Sequence, residues 1–289
     1  MKNNPVDYLL LLTLALIWSS SFVLIKIGVG SIGPLSLTAG RLTIAAVLLA
    51  LWLYLRGERL PADRRSLGMF LFIGFFGNAL PFTLIGWGEL HVDSSLAAIL
   101  MGIMPISTAL LAHLFIPDEP FTPRVLAGMA CGFGGLLVLV GVSVLEGLSG
   151  AVLAQLAILG GAISYSVTTV TVRLRAHLSG TKMATGAMLA GALLSVPAAL
   201  LLEAPFSTTA TSESLVSMLL LGLFPTALAS VIYFRVVRNL GATTFSQLNY
   251  LIPVFGSLLG ILLLGEQLEW KMIAALGLVL TGIALISRR

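Results

Sequence analysis

Residues 13–140 of this chain recur, in altered spelling, as residues 160–287, at an offset of 147 to 148 positions. Trp18-Ser19 lies over Tyr165-Ser166, and Lys26 lies over Arg173. Gly74, Phe76, Ala79 and Leu80 lie over Gly222, Phe224, Ala227 and Leu228, and Pro105, Glu119, Arg124 and Gly135 lie over Pro253, Glu266, Lys271 and Gly282. Each copy holds five long apolar segments, and a unit that crosses a bilayer an odd number of times leaves its copy upside down. The expectation is an all-α polytopic membrane protein of ten transmembrane helices, built as two inverted five-helix repeats over residues 1–146 and 147–289. Inverted repeats of this kind form sites at the bilayer midplane that open alternately to each side.

Composition excludes a water-soluble domain. Charged residues make up 10% of the chain, against roughly 25% in a soluble protein, and mean hydropathy is +1.05. At ~20 residues per crossing, ten helices take up roughly 200 of the 289 residues, so no soluble catalytic domain fits. The apolar runs predict spans over 8–28, 35–56, 66–88, 93–115, 122–142, 151–173, 182–202, 213–235, 242–264 and 270–287. Their length and continuity exclude a β-barrel, which needs short alternating strands. The run at 8–28 could pass for a signal peptide, but its repeat partner at 151–173 sits mid-chain, so the first helix is expected to be retained.

Positive residues orient the bundle. With the N-terminus inside, the inner side collects Lys2, Arg56, Arg59, Arg64, Arg65, Arg124, Arg173, Arg175, Lys182, Arg235, Arg238, Arg288 and Arg289, which is 13 of the 16 Lys and Arg residues. Only Lys26, Arg41 and Lys271 fall toward the outside. Both termini are therefore expected in the cytoplasm of a multi-pass protein of the cell inner (plasma) membrane. The net charge of +4 is this topology signal, and nucleic-acid binding is not expected.

Little in the chain suggests an enzyme. The single cysteine, Cys131, lies inside the fifth span, where a free thiol packs as a small apolar group. His91, His113 and His177 are too far apart for a metal set, and no phosphate-cradling loop or catalytic pair is present. Neither a metal nor a cofactor is expected.

The chemistry that remains lies at helix breaks. Pro81, Pro105, Pro225 and Pro253 fall near the centres of the third, fourth, eighth and ninth spans, and are read as hinges. Proline removes one backbone bond and displaces the carbonyl four residues earlier, so Pro105 disturbs Met101 and Pro253 disturbs Asn249. In lipid a released carbonyl must find another partner or face a watery cavity. Polar and amphipathic residues at similar depth complete the candidate substrate site: Trp18, Ser21, Asn78, Met101, Tyr165, Gln247, Asn249 and Tyr250. Amides in hydrocarbon are costly and face the bundle interior, which favours Asn78, Gln247 and Asn249.

All twelve acids lie in loops, tails or span ends. Proton-driven carriers commonly place a carboxylate in the membrane, so its absence points to facilitated transport. Arg41 is the most deeply placed charge, with a structural anchor as one reading and substrate contact as the other. Gly128-x-x-x-Gly132 in the fifth span fits close packing within one chain, so a monomer is expected, a dimer seam being the weaker reading.

Pro253-Val254-Phe255-Gly256-Ser257-Leu258-Leu259, then Gly265-Glu266, then Gly277 to Gly282, resembles the closing signature of EamA-type repeats of the drug/metabolite transporter superfamily. Pro105 to Glu119 repeats the pattern, and Trp18-Ser19-Ser20-Ser21-Phe22 with Lys26 resembles the opening helix of that family. The whole chain is also similar to YddG-type aromatic amino-acid exporters. The resemblance implies an inner-membrane carrier with four helices of each half around a central cavity and the fifth as support. Its cargo would be amino acids, aromatic ones included, or similar small amphipathic metabolites, exported or exchanged by alternating access. A drug or nucleotide-sugar carrier of the same fold is the alternative, though only Arg41 could meet phosphates. An intramembrane enzyme lacks a catalytic constellation.

Overall fold

The computed structural model describes residues 5–116, 122–145, 150–175, 178–205, 209–233, 235–236 and 248–287. Among these, ten helices follow one another. The first repeat holds α1 (Pro5–Gly28), α2 (Pro34–Leu55), α3 (Arg64–Glu89), α4 (Ser94–Phe115) and α5 (Pro123–Leu145). The second holds α6 (Gly150–Arg175), α7 (Gly180–Leu202), α8 (Ser212–Tyr233), α9 (Leu248–Leu264) and α10 (Trp270–Ser287). Seven of them are long and apolar enough to cross a membrane, and α5, α9 and α10 carry shorter apolar stretches.

Local chemistry sets the helix starts. Pro34 and Pro123 occupy first-turn positions, where their missing N–H costs nothing. Asp63 caps α3 by accepting from Ser66 N at 3.0 Å, Thr122 caps α5 by accepting from Val125 N at 3.2 Å, and Thr211 caps α8 by accepting from Ser214 N at 3.3 Å. The Ser66 hydroxyl and amide together hold the exposed Asp63 carboxyl below its usual range.

In lipid, apolar side chains gain nothing by leaving one hydrocarbon surface for another, so close packing of small residues holds such a bundle together. Leucines accordingly face outward: Leu193, Leu201, Leu202 and Leu262 are all at least 70% exposed. Inside, alanine, serine and glycine let backbones meet. A Cβ on Gly74 of α3 would stand 2.7 Å from Gly191 N of α7. One on Gly282 of α10 would stand 2.5 Å from Gly128 O and 2.9 Å from Gly132 N, both of α5. The Gly128/Gly132 pattern is thus filled by α10 of the same chain.

The packing follows the internal duplication. α2 pairs with α7 and α5 with α10 across the pseudo-symmetry. α1 of the first repeat packs against α8 and α9 of the second, while α6 packs against α3 and α4. Each repeat therefore inserts its first helix into the other. At the face opposite the start of α1, two glutamates cap helices across the seam. Glu203, just beyond α7, accepts from Leu35 N at 2.9 Å, Ser36 N at 2.8 Å and Ser36 Oγ at 2.7 Å at the start of α2. Glu266, between α9 and α10, accepts from Ser94 N at 2.8 Å, Ser94 Oγ at 2.8 Å and Ser95 N at 2.9 Å at the start of α4.

Candidate substrate site at the paired helix breaks

Both α3 and α8 widen into a π-helical turn at mid-span, over Phe75–Ala79 and Gly222–Leu228. Pro225 lies inside the second and Pro81 lies two residues beyond the first. A wide turn next to a proline accommodates its ring but leaves a carbonyl without its usual helical partner. At matching places a side chain donates to a carbonyl ahead of the wide turn, and of the two only Leu221 O is the one its proline displaces. Asn78 Nδ2 donates to Ile73 O at 3.1 Å, and Thr226 Oγ1 donates to Leu221 O at 2.7 Å. Donors and acceptors are both related by the 148-residue offset.

The inserted first helices hold these breaks from the side. Trp18 of α1 donates its indole N–H to Pro225 O at 3.2 Å, and Ser164 of α6 donates its hydroxyl to Phe76 O. The pattern repeats on α9 and α4, one residue on from Trp18 and two residues on from Ser164. Ser19 Oγ donates to Ile252 O at 3.3 Å, just before Pro253, and Ser166 Oγ donates to Met104 O at 3.0 Å, just before Pro105. The serines of the duplicated Trp-Ser and Tyr-Ser pairs thus bond the carbonyl just before a proline, close after the break in α4 and within a continuous α9. The aromatic partners lie beside them: Trp18 lies 6.3 Å from Tyr233 and Tyr165 6.4 Å from Phe82, centroid to centroid.

Arg41 of α2 joins the two breaks. Its guanidinium is 4% exposed and donates from Nε and Nη2 to Thr226 Oγ1, at 3.2 and 3.1 Å. The same guanidinium lies 3.7 Å above the Phe82 ring. Among the described residues no carboxylate is paired with it, unlike Lys182, which pairs with Glu58, and Arg235, which pairs with Asp7. Trp18, Pro225, Thr226, Arg41, Phe82 and Tyr165 therefore form one continuous line of contacts across both repeats. It offers aromatic faces, backbone and hydroxyl oxygens, and one buried cation.

The other candidate residues are placed as follows. Met101 sits where α4 breaks between Leu100 and Ile103, and its side chain packs with Tyr165 and Leu24 on one apolar cluster. Its carbonyl, displaced by Pro105, accepts from Met104 N at 3.0 Å, so the chain closes that break itself. Ser21 turns its hydroxyl back to Trp18 O. Pro253 stands inside α9. Gln247 lies outside the described residues, as do the side chains of Asn249 and Tyr250. Thr226 and Phe82 were not singled out by sequence; alignment of Asn78 with Thr226 at offset 148 was the signal that could have found the first. Glu266, which lies outside the spans, titrates below its ordinary value: burial opposes its charge, and bonds from Ser95 and Ser94 outweigh that.

A ten-helix membrane bundle of two inverted repeats, broken at mid-span where the repeats interlock, is an architecture on which transporters build midplane sites. The chain belongs to the EamA-like transporter family, which matches residues 6–141 and 152–288. It is 29% identical over 290 residues to the "probable terminal-alkyne amino-acid exporter" of Streptantibioticus cattleyicolor, covering 100% of this chain and 95% of that one. It is 27% identical to the "uncharacterized transporter YoaV" of Bacillus subtilis, with 94% of each chain covered. It is 26% identical to the "S-adenosylmethionine/S-adenosylhomocysteine transporter" of Chlamydia muridarum, covering 98% and 92%. A crystal structure at 22% identity superposes with a TM-score of 0.69 over 98% of this chain and 96% of that one, which shows the shared fold. The protein is a membrane-embedded transporter of small molecules.

Proposed function

We propose that this carrier exports or exchanges amino acids, aromatic ones included, and similar small amphipathic metabolites by alternating access. The observation that carries the reading is the line from Trp18 through Thr226 and Arg41 to Tyr165 at the crossing of the two repeats. Trp18 and Tyr165 offer ring faces to an apolar side chain. Arg41 is the buried cation that a carboxylate would meet, since a guanidinium can bind one through two parallel bonds. Oxygens at the proline breaks suit an ammonium. The full-length relative named as an amino-acid exporter supports the same cargo. Ser21, Asn78, Met101, Gln247, Asn249 and Tyr250 complete the proposed lining, with Pro81, Pro105, Pro225 and Pro253 as the hinges. Residues 1–146 and 147–289 act as the two moving repeats, with both termini in the cytoplasm. Transport runs down the substrate gradient without an obligatory proton, in keeping with the lack of an acid near mid-span.

Counterflow in proteoliposomes loaded with phenylalanine, leucine, serine or a nucleotide sugar tests the reading. Trp18→Ala should slow phenylalanine more than serine, and Arg41→Met should abolish exchange of free amino acids. Exchange of the nucleotide sugar alone, or Trp18→Ala and Arg41→Met profiles like the parent at equal protein yield, would refute it.

A further inference from the structure

We propose that Glu89 is a proton-binding site that latches the face opposite the start of α1, so that this face closes when Glu89 is protonated and opens when it ionises. Glu89 is the last residue of α3, is 0% exposed, and neither of its carboxylate oxygens has a hydrogen-bond partner. A buried carboxylate ion without donors is among the least tolerable groups in a protein, whereas the neutral acid is far less costly. The placement adds to the difficulty, because the carbonyl end of a helix is its negative pole.

The neighbouring cations are occupied elsewhere. Lys26 Nζ of α1 donates to Glu89 O and Val92 O, both at 2.7 Å, so its hydrogen bonds go to the end of α3 and its charge reaches the carboxylate only through space. Arg41 of α2 bonds Thr226 and lies over Phe82, and its charge too reaches Glu89 only through space. Glu266, of the α9–α10 connection, adds a like charge and is itself bound to the start of α4. On α6, Tyr165 faces Arg41, and the exposed His91 and Asp93 follow on the connection to α4.

The same face is stitched shut around this group. Ser214 of α8 donates to Ile27 O at 2.8 Å, Ser217 to Leu24 O, and the hydroxyls of Ser31 and Thr211 meet at 3.2 Å. These bonds fix the last turn of α1, which carries Lys26. When α1 and α8 part, water reaches Glu89, its proton passes to that water, and Lys26 is freed to pair with the carboxylate. Proton uptake reverses each step. Proton and water enter and leave through one face, so the latch makes opening pH-dependent without driving transport.

Linkage fixes the sign and the slope. The closed form binds one proton more than the open form, so it is favoured in acid and loses up to about tenfold in population per unit rise in pH. The test uses purified protein in lipid nanodiscs, where both faces are accessible and no substrate is needed, with Ser217→Cys in a Cys131→Ala background and a polar maleimide. Labelling at 217 is divided by labelling at an exposed control, Glu213→Cys, to cancel thiol chemistry. The ratio should climb as pH rises and stay low and flat in Glu89→Gln. The infrared carbonyl stretch of a protonated carboxylic acid should be present at acid pH in the parent, fade as the labelling ratio climbs, and be missing from Glu89→Gln. If Glu89→Gln does not fold, the parent's band and ratio still decide the matter by moving together. A flat ratio in the parent, an absent acid band, or an unchanged pH profile in Glu89→Gln overturns the proposal.

Discussion

Thr226→Val is the sharpest probe of the linked helix breaks. The substitution keeps the side chain's shape and removes one oxygen, which donates to Leu221 O at 2.7 Å and accepts twice from Arg41 at 3.1 and 3.2 Å. A neutral side-chain bond in a membrane bundle contributes about 0.6 kcal/mol on average. A bond to a buried charge contributes about 1.5–3 kcal/mol, because its loss leaves the charge short of an acceptor. Thr226→Val should therefore cost about 2–3 kcal/mol. Asn78→Leu, at the repeat-related position, removes only the bond to Ile73 O and should cost about 0.6–1.5 kcal/mol.

Arg41→Met inverts the arithmetic. Replacing a buried charge by an apolar group of similar size is often neutral or stabilising. In that background Thr226→Val loses only its neutral bond, so the double-mutant cycle should return a coupling of about 1.5–2 kcal/mol. Reversible unfolding of the purified variants in mixed micelles with a graded denaturing detergent, read by tryptophan fluorescence, measures each corner. A coupling below about 0.5 kcal/mol, with Thr226→Val no worse than Asn78→Leu, would refute the view that Arg41 is held by Thr226 at the break.

Three further outcomes follow from other parts of the bundle. If the positive residues set orientation, cysteine at Arg64 is protected from an impermeant thiol reagent in intact cells, and labelling without permeabilisation reverses the topology. Gly282→Leu drives a side chain into the α5 backbone at Gly128 and Gly132 and should destabilise by about 1–3 kcal/mol or more, whereas Gly277→Leu, with open space around it, should stay near the parent. Glu266 titrates below its ordinary 4.5 in the folded protein, so its cap on α4 is in force above that value and is lost as pH falls through the folded value. The stability advantage of the parent over Glu266→Ala should be full at neutral pH and vanish in acid, and a pH-independent gap would show that the carboxylate charge is not what caps α4.

The duplication was legible because its markers are residues with narrow conformational use. Glycine at close contacts and the Pro105/Pro253 pair stand at a fixed interval, and hydrophobic runs of span length leave no other element to form. Expected helix ends consequently fall within a few residues of those observed for the described spans. Proline also flagged the right place on α4, yet Met101 O went to Met104 N. Which donor takes a released carbonyl depends on local backbone geometry that periodicity does not encode. The two π-turns escaped notice for the same reason, since no residue type specifies one. Glu203 looked like a loop acid because its partners at the start of α2 lie 167 and 168 positions away in sequence.

What separates scaffold from mechanism in this chain is where the repeat symmetry fails. The carbonyl braces obey it: Ser19 with Ser166 and Asn78 with Thr226 perform matched tasks in both copies. On the proposed alternating-access cycle, such pairs would let each repeat bend at the same depth as inner and outer access exchange. The buried charges do not obey it. Arg41 has Met188 at offset 147, buried at 7% exposure, and Glu89 has a valine at either offset. A symmetric charge would have to be stabilised in both halves, whereas a single one can be met by a substrate group or a proton that is present in only part of the cycle. On this argument the matched residues should tolerate swaps between repeats, Asn78→Thr together with Thr226→Asn included. Moving Arg41 to position 188 should not restore exchange, because the paired bonds from Nε and Nη2 to Thr226 are made from α2.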